Sequence, residues 1–99
     1  MFSCGIVIYA SDVHSIFDIH TKKLLNRVSS PLIIGNHCWI GRDVKLLKNA
    51  GISNNTIVGM GSVVTKKFTE SYIAIAGNPA KIIKRDIDWT RENPHGYLK

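Results

Sequence analysis

The apolar positions of this chain recur every six residues rather than every two or every three to four. Starting at Val28 and stepping by six gives Ile34, Ile40, Leu46, Ile52, Val58 and Val64, all aliphatic. An amphipathic helix needs apolar spacings of three and four, and a half-buried strand alternates with a period of two. Four residues after each of these positions comes a second slot, filled by Leu32, Cys38, Val44, Ala50, Thr56, Ser62 and Phe68, mostly small until the last. Turn formers lie between the slots, among them Gly35-Asn36, Gly41-Arg42-Asp43, Asn49, Ser53-Asn54-Asn55 and Gly59-Met60-Gly61. Glycine and asparagine tolerate the backbone of a tight corner. Each hexad therefore reads as a short strand with one inward aliphatic side chain, followed by a corner.

Three hexads close a triangular coil, and successive coils stack at the strand spacing of about 4.8 Å. A step of 18 then predicts the vertical stacks: Val28 under Leu46 under Val64, Ile34 under Ile52, and Ile40 under Val58. The expected fold is all-β, a parallel β-helix built as a triangular prism of hexapeptide repeats. The prism is expected over residues 1–80, with a polar excursion at about 15–30, and a tail at 81–99 that packs on it. Phe2 and Ile8 keep the six-residue step at the start, whereas Gly77-Asn78-Pro79 breaks it at the end.

The chain has 99 residues, 13 Lys plus Arg against 7 Asp plus Glu, and a formal net charge of +6. That length supports one domain at most. The basic residues are scattered, without the aromatic-basic ladder or recognition helix of a nucleic-acid binder. No apolar run approaches the roughly 18 residues of a membrane span, and no secretion signal is recognisable, so a cytoplasmic protein without a stable membrane span is expected. Cys4 and Cys38 lack zinc-site spacing, and no metal is expected.

The blocks "PLIIGNHCWIGRDV" (31–44), "IVGMGSVVTKKF" (57–68) and "IAGNPAKIIK" (75–84) resemble the hexapeptide-repeat acyltransferases. Within that family they are similar to the sugar and polysaccharide O-acetyltransferases, such as the galactoside and maltose enzymes. The resemblance implies a left-handed coil, although general crossover rules favour the right hand. It also implies an acetyl-CoA-dependent O-acetyltransferase acting on a hydroxyl of a sugar, polysaccharide or lipopolysaccharide precursor, by direct transfer in a ternary complex.

On the residues alone, a histidine near a turn is usually a polar surface group. The stretch "SDVHSIFD" (11–18) lies where the family carries its catalytic histidine, which makes His14 the expected general base. A neutral imidazole can take the proton of a sugar hydroxyl as it attacks a thioester carbonyl. Asp12 either orients His14 or caps a turn. A rival on the same fold, the γ-class carbonic anhydrases, needs three metal-binding histidines with a pair five apart, whereas His14 and His20 are six apart.

For acetyl-CoA, the resemblance assigns Trp39 to the pantetheine end. It assigns Gly41, Arg42, Met60 and Gly61 to the corners that present bare backbone, with the Arg42 amide as a candidate oxyanion donor. Thr65 and Lys66 follow, and Lys81 and Lys84 stand where the family carries cations for the nucleotide phosphates. Each lysine could equally be a solvated surface residue. Family members are homotrimers with active sites between subunits, so a homotrimer with a saccharide acceptor is expected. The mid-repeat start reads as the C-terminal portion of such an enzyme, and the competing expectation is a catalytically silent trimeric β-helix that at most binds coenzyme A.

Overall fold

Ten short strands carry the architecture: β1 (Val7–Ile8), β2 (Ile33–Ile34), β3 (Trp39–Ile40), β4 (Lys45–Leu46), β5 (Gly51–Ile52), β6 (Thr56–Val58), β7 (Val63–Val64), β8 (Lys67–Phe68), β9 (Ile73–Gly77) and β10 (Ala80–Arg85). They belong to a computed structural model that describes residues 1–9, 15–25, 31–92 and 94. Most strands are two residues long because a hexad offers one outward and one inward side chain before its corner. In β4, for instance, Lys45 is exposed and Leu46 is buried.

The strands form three parallel walls of a left-handed β-helix. Wall A stacks β3, β6 and β9, wall B stacks β1, β4 and β7, and wall C stacks β2, β5 and β8. The final strand, β10, turns back and pairs antiparallel with β9 at the edge of wall A. The core is the column between the walls, where Ile40, Leu46, Ile52, Val58, Val64 and Ile75 are all at most 2% exposed. Burying such a side chain contributes about 1.5–3 kcal/mol each, which is how two-residue strands hold together.

Register follows the 18-residue step for β3 on β6, β4 on β7 and β2 on β5. Two expected positions are corrected. Leu46 sits above Ile8, not Val28, which lies outside the described residues. Ile8 and Ile34 are 26 positions apart where one hexad step is six, so the excursion carries the extra chain and breaks the count that periodicity extrapolated backwards. Phe68 pairs with Ile52 and so fills the inward slot of wall C instead of a corner. That coil is two residues shorter than 18, and a large ring fills the column as it closes.

The corners share one backbone signature. His37, Asp43, Asn49, Asn55 and Gly61 have φ of 53°, 58°, 63°, 56° and 73°. Each stands three residues after an inward aliphatic. Asn, Asp and His are the non-glycine residues that adopt the left-handed region most readily. The second slot is buried at Cys38, Val44, Ala50, Thr56 and Ser62. The two hydroxyls bond within their own corners, Ser62 Oγ donating to Gly59 O at 2.6 Å and Thr56 Oγ1 to Asn54 O at 3.4 Å. Small polar residues fit there because the corner's own carbonyls satisfy them.

Candidate functional site

Seven of the nine residues expected to meet acetyl-CoA fall at three places on the prism. Gly41, Arg42, Met60 and Gly61 come together on the edge between walls A and B. Gly41 N donates to Val58 O at 2.9 Å, and Gly61 N to Arg42 O at 2.8 Å, so the two corners lie one directly above the other. A Cβ on Gly41 would stand 2.8 Å from Val58 O and 2.9 Å from Met60 N. Its φ is outside the left-handed region, so the residue is glycine because a neighbouring backbone occupies its side-chain space. Gly61 is the opposite case, with φ +73° and nothing within 4 Å of a Cβ position. The outer surface of that corner is bare backbone flanked by the exposed Met60 side chain. Ser62 Oγ also accepts from Gly77 N at 3.2 Å, tying the corner to the β9–β10 turn.

Lys66 and Lys81 line a second feature, a groove of about 400 Å³ with Lys67, Phe68, Thr69, Glu70 and Ile82. Lys66 Nζ lies 5.3 Å from the centre of the Phe68 ring, and Lys67 Nζ donates to Pro31 O at 2.7 Å. The carboxylate in the groove is already engaged, because Arg85 Nε donates to Glu70 Oε2 at 2.9 Å. The Arg85 guanidinium holds the Glu70 carboxyl below its ordinary range. With that acid neutralised, the lysines give the groove a positive field suited to phosphate groups. Lys84, exposed on β10, and Thr65, exposed at the corner between β7 and β8, do not line this groove.

Trp39 is elsewhere again, on the outer face of wall A, 38% exposed. A groove of about 550 Å³ opens beside it, bounded by Ile57, Asp88, Trp89, Thr90, Glu92 and Pro94. The second indole was visible in the sequence only as an apolar anchor of the tail. It stacks on the His37 ring at 4.1 Å and 10°, and it approaches Trp39 at 6.0 Å and 49°. Sequence reasoning missed Trp89 and Asp88 as neighbours of Trp39 because contacts across 50 residues follow no local pattern; the one signal was a second tryptophan in a polar tail.

His14 and Asp12 lie outside the described residues. The described part of the excursion forms a small hairpin in which Phe17 bridges Leu24. The Asp18 carboxylate caps its turn, accepting from His20 N at 2.8 Å and Thr21 N at 2.9 Å. These two backbone donors, Thr21 first, hold the Asp18 carboxyl below its ordinary range. Ile16, Phe17, Ile19, Leu24 and Leu25 are all exposed on this hairpin. Among the described residues no group of three or more His, Cys, Asp or Glu is placed to hold a metal, and no helix is long and apolar enough to cross a membrane.

No model of a protein family matches the chain. Individual proteins do. The chain is 45% identical over 92% of its length to a polysialic acid O-acetyltransferase of Escherichia coli O1:K1, covering 29% of that protein. It is 41% identical over 99% of its length to the polysialic acid O-acetyltransferase of Neisseria meningitidis, covering 45% of it. Among solved structures, the polySia specific acetyltransferase NeuO superimposes over 90% of the chain with a TM-score of 0.82, covering 37% of NeuO. The polysialic acid O-acetyltransferase OatWY does so over 92% with a TM-score of 0.84, covering 43% of OatWY. The chain thus spans less than half the length of these relatives.

Proposed function

Because the chain belongs to the hexapeptide-repeat acyltransferases, in the sugar and polysaccharide O-acetyltransferase branch, we propose that it transfers an acetyl group from acetyl-CoA to a hydroxyl of a polysaccharide. The observation that carries this reading is identity above 40% over at least nine-tenths of the chain to two polysialic acid O-acetyltransferases. An anionic glycan such as polysialic acid is the acceptor class proposed, in keeping with the net charge of +6.

The residues on the prism fit acetyl-CoA, whose phosphates need cations and whose long arm needs an unobstructed backbone. Lys66 and Lys81 share one groove, and the Gly61 corner leaves main chain uncovered. In the proposed chemistry His14, held by Asp12, takes the proton of the acceptor hydroxyl as its oxygen attacks the thioester carbonyl. The new C–O bond replaces the C–S bond, and the proton passes from His14 to the leaving thiolate. The Arg42 amide is the proposed donor to the oxygen that becomes negative in between.

The Gly61 corner and the groove of Lys66 and Lys81 lie at different places on one prism, and the proposed assembly is a homotrimer whose sites combine residues of adjacent subunits. A cytoplasmic setting is proposed with it, since both Cys4 and Cys38 are free thiols. The test is thiol release from acetyl-CoA with polysialic acid as acceptor. Acceptor-dependent release is expected from the wild type, and His14→Ala should lower it by about 10²–10⁴-fold without loss of the fold. Wild-type protein that binds coenzyme A yet gives no acceptor-dependent release would instead identify a silent β-helix.

A further inference from the structure

Beyond β10 the chain turns and descends one corner of the prism, docking one residue on each coil. Ile87 N donates to Tyr72 O at 3.1 Å. The Asp88 carboxylate accepts from Asn55 Nδ2 at 3.1 Å and lies 3.6 Å from His37 Nε2. Trp89 then locks to His37 by a ring stack and two polar contacts, Nε1 donating to His37 O at 2.9 Å and His37 Nε2 lying 3.0 Å from Trp89 O. Tyr72, Asn55 and His37 occupy the same corner position in successive coils, all with left-handed φ, of 58°, 56° and 53°. That shared backbone turns three side chains or carbonyls toward one line, and the strap follows it.

The strap ends against Trp39. On wall A the indole has Ile57 in the register position above it, and its lateral neighbour is the Trp89 ring at 6.0 Å and 49°, a tilted aromatic contact. A side chain on the outer face of a prism has fewer packed neighbours to fix its rotamer than an inward one. Trp89 is held nonetheless, since a stack and two polar contacts fix it.

We infer that Trp89 is a positioning residue for Trp39, holding in one orientation the indole that the family resemblance sets at the pantetheine end of acetyl-CoA. The inference rests on the acetyl-transfer reading, and it assigns the strap a role in catalysis besides its role in stapling three coils. Removing the ring frees Trp39 without touching the groove of Lys66 and Lys81, so binding of the phosphates stays and the geometry at the acyl group is lost.

The test uses the fact that the chain has two tryptophans. In Trp89→Phe and Trp89→Ala, Trp39 is the sole indole, so quenching of its fluorescence by acrylamide reports the accessibility of that one ring. Trp39 should quench markedly more readily in W89A than in W89F, where a stacking ring remains. With acetyl-CoA and polysialic acid, W89A should lose about tenfold or more in kcat with little change in the KM of the glycan, and W89F should stay close to wild type. If W89A fails to fold, His37→Gly on the W89F background removes the stacking partner while glycine keeps the corner's φ, and the same rise in quenching and fall in kcat are expected there.

Equal quenching in W89A and W89F, with equal kcat across both variants and the wild type, would overturn the positioning role while leaving acetyl transfer intact. A wild-type protein without acceptor-dependent thiol release would overturn the acetyl-transfer reading first, and the catalytic role of Trp89 with it.

Discussion

Gly41 and Gly61 stand on the same edge, one coil apart, yet the structure predicts opposite reasons for their intolerance of a side chain. In Gly41→Ala the new methyl would lie 2.8 Å from Val58 O, 2.9 Å from Met60 N and 3.1 Å from Met60 Cα. All three are backbone atoms of the next coil and cannot rotate away, so the corners must separate by about 0.5 Å to restore ordinary contact. That opening stretches the bonds from Gly41 N to Val58 O and from Gly61 N to Arg42 O. Weakening two such bonds, at about 0.5–1.5 kcal/mol each, and adding overpacking strain gives a loss of about 2–4 kcal/mol. In Gly61→Ala the methyl meets nothing, and the cost is that of a left-handed backbone, about 1 kcal/mol. Gly61→Asn should cost less still, since Asn55 and Asn49 already hold that conformation in other corners. Urea unfolding followed by tryptophan fluorescence at one fixed protein concentration ranks the three, because association would otherwise shift the midpoints. The reasoning is refuted if G61A costs as much as G41A, or if G41A stays within about 0.5 kcal/mol of wild type, the range of a neutral surface change.

The double variant Lys66→Ala, Lys81→Ala should raise the KM for acetyl-CoA about tenfold, with kcat nearly unchanged and a flatter dependence on salt, as expected for lost charge-assisted contacts. An unaltered salt dependence would place the nucleotide phosphates elsewhere. The two thiols should separate cleanly under a chromogenic disulfide reagent at pH 8. Cys4 is exposed and should react at once, whereas Cys38 is 3% exposed and burial pushes its thiol up, so its reaction should wait for unfolding. Two fast thiols would contradict the packing of that corner. Because the Cys38 shift is upward, its contribution is present in full below the ordinary thiol range and lost as the pH rises from there through the raised value.

Ile34, Ile40, Leu46, Ile52, Val58 and Val64 were legible as a core in the sequence, because a coil of three equal walls repeats its inward position at a fixed interval and uses the same kind of side chain each time. The corner glycines and the block motifs were legible for the same local reason, and the motifs carried the family. What periodicity could not do was count across interruptions: Ile8 replaces Val28 beneath Leu46, and Phe68, expected in a corner slot, stands above Ile52. Those registers are decided by which strands find partners in space, after an excursion in one case and a coil two residues short in the other.

The lateral neighbour of Trp39 was not legible at all. Trp89 reaches it from 50 positions away because left-handed corners at His37, Asn55 and Tyr72 line up into a track, and alignment of coils is a property of the stacked prism. The sequence by itself determined the repeat, the column of aliphatic side chains and the kinds of residue at each corner, since each follows from the local geometry of one hexad. The tertiary structure decided the registers, the neutralisation of Glu70 beside Lys66 and Lys81, and the strap that sets Trp89 against Trp39, since each requires segments to meet that no interval along the chain relates.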